Sequence, residues 1–230
     1  MIEQTLQKNL AAVEERLVAA CRRAGRSRAE VTLVAVTKSV SVDVAGYLAA
    51  LGIHHLGENR PQELMRKAAL LSPAINWHLI GHLQRNKVER TLPLVCFIHS
   101  VDSVRLLQAL DQEAGKQCKM LDVLLEVNAS GEGSKQGFRL DEVPPLTPAL
   151  RALRYVRVKG LMTMAALQEP ETCRPTFALL RAMRDRLRSE LAPAHNVEHL
   201  SMGMSNDFEV AVEEGATFVR LGSVLFQGLS

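Results

Sequence analysis

Eight short apolar segments, rich in β-branched residues, recur along the chain and constrain its fold more than any other feature. Several are apolar almost without interruption, as expected for strands that are buried on both faces of a parallel sheet. These segments cover residues 31–38, 55–59, 77–81, 97–101, 123–128, 156–164, 199–203 and 218–222.

The segments between these strands have helical character. Helices are predicted over residues 42–51, 61–71, 105–115 and 172–191. A last helix is predicted to begin at Asn206, with Glu209 three residues later completing a capping box, and to end at Gly215. Residues 1–25 form an additional amphipathic helix ahead of the first strand.

Strand and helix therefore alternate eight times, which predicts an α/β protein with a parallel sheet. A chain of 230 residues can form a single compact (β/α)₈ barrel, which usually needs about 250 residues. An open doubly wound sheet is the alternative, but it has fewer strands at this length, and no G-x-G-x-x-G follows the first strand. We therefore expect one domain, a (β/α)₈ barrel over residues 1–230.

Composition narrows the class of protein further. Apolar residues make up 47% of the chain, enough for a large core, and the net charge of +3 is too small to indicate nucleic-acid binding. No stretch approaches the roughly 18 apolar residues of a membrane span, and no secretory leader is evident. Without a CxxC pair, the cysteines are expected to be free thiols in the cytoplasm: Cys21, Cys96, Cys118 and Cys173.

Functional groups of a (β/α)₈ barrel cluster where its strands end, and Lys38 ends the first predicted strand. It follows a mostly apolar run, and burial of an ammonium group there would lower its pKa and free the amine to attack an aldehyde. The alternative is an ordinary surface lysine at a strand terminus. His78 and His82 bracket the end of the third predicted strand and are further candidates.

Two segments near the carboxyl terminus suit phosphate binding, because barrels often bind phosphate after strands seven and eight. One carries Ser201 and Ser205 and leads into a helix, and the other carries Gly222 and Ser223. Hydroxyl groups, a glycine that permits close approach and a helix N-terminus together favour an anion. Read alone, each segment could equally supply only capping and turn residues. Since strand eight adjoins strand one, the phosphate site would neighbour Lys38 and suit a phosphorylated aldehyde.

Several long segments resemble the pyridoxal phosphate homeostasis proteins, also called the proline synthetase co-transcribed family, which bind pyridoxal 5′-phosphate (PLP). They span most of the chain and are specific in combination: LVAVTK (33–38), LGEN (56–59), WHLIGHLQRNK (77–87), HSVDS (99–103), EVNASGEGSKQG (126–137), VKGLMTM (158–164) and LSMGMSNDFEVAVEEGATFVRLGS (200–223). The chain departs from the family at His82, where proline is common, and at Ser223, where threonine is common.

The resemblance implies a barrel of the alanine racemase type (PLP fold type III), with PLP held as an internal aldimine on Lys38. Arg220 would face the pyridine nitrogen, while Asn59 and His78 would line the surroundings of the ring. The phosphate would be held by Ser201, Ser205, Gly222 and Ser223. No metal is implied.

An arginine at the pyridine nitrogen makes PLP a poorer electron sink, because arginine stays protonated. Racemisation also needs a second base, and neither Tyr47 nor Tyr155 falls at a strand end where that base would be wanted. We therefore expect a carrier and buffer of PLP rather than an enzyme, monomeric and cytoplasmic, with apo forms of PLP-dependent enzymes as recipients. The alternatives are a small PLP-dependent amino-acid racemase or lyase, and a barrel that binds a phosphorylated metabolite without a covalent bond.

Overall fold

Eight parallel strands close into a barrel in the computed structural model of the protein, which describes residues 2–132 and 136–229. The barrel strands are β1 (Thr32–Val36), β2 (His55–Glu58), β3 (Asn76–Leu79), β4 (Val95–Val101), β5 (Leu121–Asn128), β7 (Val156–Met162), β8 (His199–Ser201) and β9 (Phe218–Leu221). Each pairs with the next in this order, and β9 pairs with β1. A two-residue strand, β6 (Phe138–Arg139), pairs with β5 beside the barrel. The predicted barrel is confirmed.

The helices surround this barrel. They are α1 (Ile2–Arg23), α2 (Val42–Ala50), α3 (Pro61–Ala68), α4 (Val88–Thr91), α5 (Val104–Lys116), α6 (Thr147–Arg151), α7 (Arg174–Leu191) and α8 (Phe208–Glu213). Sequence periodicity missed α4 and α6, because a helix of four or five residues is too short to show a period. Among the described residues, no helix combines the length and the apolar character needed to cross a bilayer.

Most predicted strands run one or two residues beyond the observed ends. β1, for example, ends at Val36 rather than at Lys38. The Thr37 N–H still donates to the Gly57 carbonyl at 3.0 Å, but the chain then turns away from the sheet. An apolar run predicts the buried part of a strand, whereas the turn at the barrel mouth depends on the neighbouring loops.

The capping box predicted at Asn206 and Glu209 is wrong. α8 begins at Phe208, and Asp207 occupies the N-cap position. The Asn206 side-chain amide donates instead to the Gln168 carbonyl at 2.8 Å, so this residue is tied to the preceding barrel loop. The Asp207 carboxylate accepts from the Met204 N–H at 2.6 Å.

Apolar side chains fill two separate regions. The larger core lies between the strands and the surrounding helices, and α1 extends it by burying Leu6, Val13 and Leu17. α1 also contacts α8, where Arg16 lies 4.5 Å above the ring of Phe208. The smaller core fills the barrel interior with Val34, Leu124, Met162 and Phe218, and Phe97 packs against them.

Candidate functional site

A cavity of about 550 Å³ opens at the carboxyl ends of the barrel strands, where barrels carry their functional groups. Six residues predicted from the sequence line it: Lys38, Asn59, Ser205, Arg220, Gly222 and Ser223. His82 and Glu126 also contribute to the lining. Residues far apart in the sequence thus meet in one concave site.

Lys38 lies at the mouth of this cavity, two residues beyond β1, and its side chain is exposed. The expectation that burial desolvates this amine is therefore wrong in this structure. The reason is the early end of β1, which places Lys38 outside the apolar interior. An exposed primary amine is instead accessible to aldehydes and to other amines.

Directly behind Lys38, a buried ion pair holds the backbone. Lys67 of α3 donates from Nζ to the Glu58 carboxylate at 2.7 Å and to the Thr37 carbonyl at 2.6 Å. The Thr37 hydroxyl donates to the same Glu58 oxygen at 2.6 Å. All three side chains are almost fully buried, so the peptide that precedes Lys38 is fixed from below. We call Thr37, Glu58 and Lys67 the lysine network.

Arg220, near the end of β9, is buried and lines the floor of the cavity. Its Nη1 donates to the Ser201 hydroxyl at 2.6 Å and its Nη2 donates to the Thr163 carbonyl at 2.9 Å. Burial lowers the pKa of Arg220 to about 10, although Asp207 and Glu126 counteract this. The guanidinium therefore remains a fixed positive charge at neutral pH.

The loops after β8 and β9 meet at Ser205. Its hydroxyl oxygen accepts from the Gly222 N–H and the Val224 N–H, both at 3.3 Å. Two converging backbone N–H groups already face an oxygen here, with the Ser223 side chain beside them at the cavity. This donor set fits a phosphate.

A glycine fixes the path of the loop after β8. Gly203 has φ +92°, and a Cβ there would lie 2.6 Å from Cβ of Ala211 in α8. Any larger residue would push the loop away from the helix. α8 itself is only six residues long and has Asp207 at its start, so the backbone groups around Gly222 are better anion donors than the helix terminus that we expected.

Ser201 and His78, two residues predicted to contact the cofactor, are fully buried and lie outside the cavity lining. The Ser201 hydroxyl points to Arg220 and His99 rather than toward Ser205. His78 lies deeper in the barrel, where its ring stacks on Phe97 at 5.8 Å between centroids. The structure therefore places both side chains beneath the cavity rather than on its lining, with Ser201 in contact with Arg220 and not with the phosphate cradle.

Three histidines form a hydrogen-bonded chain through the barrel interior. His55 Nδ1 lies 2.9 Å from His78 Nε2, and His78 Nδ1 lies 2.8 Å from His99 Nε2. His99 Nδ1 lies 2.8 Å from the Ser201 hydroxyl, which also contacts Arg220. We call His55, His78 and His99 the histidine chain. Burial lowers the pKa of His78 to about 3 and that of His99 well below its ordinary value, so both rings are neutral.

Sequence reasoning missed Glu126, a nearly buried carboxyl group on β5 that lines the cavity. Burial, and then the charge of Asp102, raise its pKa to about 7, although Arg220 and His82 oppose the shift. The signal was an acidic residue inside the otherwise apolar run 123–127. His82, where the family commonly has proline, lies 3.1 Å from the Asp102 carboxylate at the rim.

Comparison with known proteins assigns the family. The family described as the N-terminal domain of alanine racemase matches residues 9–230. A pyridoxal phosphate homeostasis protein of Aquifex aeolicus is 42% identical over 221 residues, which covers 95% of this chain and 96% of that protein. The chain belongs to the pyridoxal phosphate homeostasis protein family.

A solved member, PipY of Synechococcus elongatus with PLP bound, has the same fold. It superposes with a TM-score of 0.81 at 34% identity, covering 93% of this chain and 99% of PipY. Alanine racemase of Clostridium difficile superposes with a TM-score of 0.70 at 16% identity, and the match covers 97% of this chain but 55% of the racemase. The racemase comparison shows the barrel fold alone.

Proposed function

We propose that this protein binds PLP covalently through Lys38 and carries, buffers and supplies the cofactor within the cell. One observation carries the proposal: a single cavity contains an accessible amine, a buried guanidinium and a cradle of N–H and hydroxyl groups. A phosphorylated aldehyde with a ring nitrogen matches these three elements. The PLP-bound PipY structure and the names of the relatives support the same assignment.

Each element has a distinct role in this proposal. The aldehyde of PLP condenses with a primary amine with loss of water, and water or a second amine reverses the bond. Lys38 supplies that amine at an exposed position, which suits exchange with incoming amines. Ser205, Gly222 and Ser223 bind the phosphate, with Asn59 at the cavity wall.

Arg220 presents its positive charge to the pyridine nitrogen in this arrangement. A guanidinium has only donors, so the nitrogen must accept and stays unprotonated. This disfavours carbanion chemistry and favours storage of the cofactor over turnover. No tyrosine stands among the described residues that line the cavity, and Tyr47 and Tyr155 are partly exposed elsewhere.

The oligomeric state, the location in the cell and the recipient enzymes are also part of the proposal. We propose a monomer in the cytoplasm that delivers PLP to apo forms of PLP-dependent enzymes. The four free cysteines support a reducing compartment.

Borohydride reduction followed by peptide mass mapping tests the covalent bond. After incubation with PLP, we expect one reduced pyridoxyl group, located on the peptide that contains Lys38. Lys38→Ala should abolish this label, whereas the control Lys116→Ala, which removes an exposed lysine of α5, should retain it. Labelling that persists in Lys38→Ala at the wild-type level would overturn the assignment.

A transfer assay distinguishes the carrier from an enzyme. The loaded protein should reactivate an apo PLP-dependent enzyme while leaving the chirality of alanine and serine unchanged. Racemisation at rates far above that of free PLP would support the racemase alternative instead. Tight binding of pyridoxine 5′-phosphate, which lacks the aldehyde, with no label on any lysine from PLP would favour the non-covalent alternative.

A further inference from the structure

The barrel interior is unusually polar below Arg220. The interiors of (β/α)₈ barrels are dominated by branched aliphatic side chains. Here β2, β3 and β4 each contribute one residue of the histidine chain, and β8 contributes Ser201. The chain begins at His55, which is half-buried at the start of β2, and it ends at Arg220 near the cofactor cavity.

The hydrogen-bond roles along this chain follow from proton counting. Arg220 can only donate, so the Ser201 oxygen accepts from it and the single Ser201 proton is free for His99 Nδ1. His99 then carries its proton on Nε2 and donates to His78 Nδ1, and His78 donates in turn to His55. In this direction each contact pairs one donor with one acceptor, and the Ser201 hydroxyl proton also has an acceptor.

The opposite direction leaves a proton without an acceptor. If His99 donated to Ser201, the Ser201 oxygen would accept twice and its own hydrogen would have no partner among the hydrogen bonds of the described residues. A buried unpaired hydroxyl proton costs free energy. The guanidinium therefore fixes the tautomer of each ring beneath it.

The surroundings of the rings enforce the neutral state that this pattern needs. His78 and His99 are fully buried, and both pack against Phe97 and Phe218 with centroid separations of 5.4–6.0 Å. A protonated ring would have to donate from both nitrogens and would place a second positive charge below Arg220.

We infer that His99, supported by His78, is a positioning residue for Arg220. His99 accepts a hydrogen bond from the Ser201 hydroxyl, which turns an oxygen lone pair of Ser201 toward Arg220 Nη1. The Thr163 carbonyl accepts from Nη2. The guanidinium is thereby fixed on two sides, and its remaining N–H groups form no further hydrogen bond with the described residues. The effect of this positioning on PLP rests on the proposed function. The positioning of the Arg220 side chain by His99 does not depend on that function.

Two variants of His99 separate positioning from packing. Asparagine retains a polar atom near the position of Nδ1, so His99→Asn should preserve the contact with Ser201 but not the one with His78. His99→Leu removes both contacts. The matched control is His195→Leu, since His195 is also buried but its ring, among the described residues, hydrogen-bonds only to backbone groups, those of Val158 and Leu150.

The first readout is the nitrogen-15 NMR spectrum of the Arg220 side chain, recorded without PLP. We expect shifted guanidinium resonances in His99→Leu, near-native resonances in His99→Asn and no change in His195→Leu. Ser201→Ala should reproduce the effect of His99→Leu, and it serves where the leucine variant fails to fold. Unchanged Arg220 resonances in both His99→Leu and Ser201→Ala would overturn the inference, whether or not the protein binds PLP.

The second readout is the bound cofactor. In His99→Leu we expect an altered absorbance spectrum and an affinity for PLP about tenfold weaker, as for the loss of one hydrogen bond near a charge. Wild-type protein that fails to bind PLP would contradict the proposed function but would leave the NMR result intact. Equal loss of affinity in His99→Leu and His195→Leu, with unchanged spectra, would show a packing role only.

Discussion

The lysine network and the histidine chain lie below the same cavity but differ in charge and reach. The lysine network is a compact, charged cluster that grips the backbone before Lys38. The histidine chain is neutral, crosses the barrel and ends on the side chain of Arg220. A residue that forms a reversible covalent bond needs a mobile amine on a fixed backbone, whereas a residue that orients a ring needs its whole side chain fixed.

Breaking the charged network should have the largest effect on stability. Lys67→Met leaves the Glu58 carboxylate buried without a cation, and the loss of one partner of a buried pair costs about 3–5 kcal/mol. The measurement is urea unfolding at pH 7. The control is Lys116→Met, since the exposed pair of Lys116 with Glu113 should contribute less than about 1 kcal/mol.

A double variant sharpens this result. Replacing Glu58 by Leu together with Lys67 by Met should recover part of the lost stability, because a buried pair has little net value against apolar residues. Equal loss of stability in Lys67→Met and Lys116→Met would show that the buried pair does not carry the difference between the two regions.

Because the histidine chain is neutral, the stability of the folded protein should decrease in acid. Burial lowers the pKa of His78 to about 3 and also lowers the pKa of His99. Below pH 6.5, these histidines therefore bind protons in the unfolded chain but not in the folded protein. Stability then falls as the pH decreases, by about 2 kcal/mol for His78 on going from pH 6.5 to pH 5, and His99 contributes in the same direction. Urea unfolding measured across this range tests the slope.

Variants assign that slope to particular rings. His78→Leu should flatten the acid dependence, whereas His54→Gln, which changes an exposed histidine, should keep the wild-type dependence. A His78→Leu curve parallel to that of the wild type would contradict a neutral, buried histidine chain.

Much of the architecture was predictable from the sequence, because strands that are buried on both faces read as apolar runs. Lys38 was predictable as a candidate because a charge at the end of such a run is conspicuous, whereas the role of Arg220 was implied by the family resemblance. The exposure of Lys38 was not, since β1 ends two residues early. The sequence also did not show that the Ser201 side chain points into the barrel. A strand of three residues, such as β8, is too short to show an alternation of inward and outward side chains.

The histidine chain was beyond sequence reasoning for a different reason. His99 and Ser201 are 102 residues apart and meet only when the barrel closes. Each histidine viewed singly looks like an ordinary core residue. The available signal was a histidine within three consecutive predicted strands or at their edges, which gains meaning once their inward faces are known.

Glu126 offers the smallest effect and one of opposite sign. Its pKa is raised to about 7, so the folded state binds a proton that the unfolded chain releases near pH 4.5. Stability is therefore lost as the pH rises from 4.5 through 7, by about 2 kcal/mol between pH 5 and pH 6.5. Glu126→Gln should remove this loss of stability with rising pH. The loss of stability with falling pH, which comes from the histidine chain, should remain unchanged. A Glu126→Gln stability curve that runs parallel to the wild-type curve between pH 5 and pH 7 would exclude a buried, titrating carboxyl group.

A crystal structure of the protein loaded with PLP tests the central claim most directly. The account predicts electron density continuous with Lys38 Nζ, the pyridine nitrogen within hydrogen-bond distance of Arg220, and the phosphate between Ser205 and the backbone around Gly222. Density attached to another lysine, or a bound PLP whose pyridine nitrogen lies beyond hydrogen-bond distance of Arg220, would contradict it.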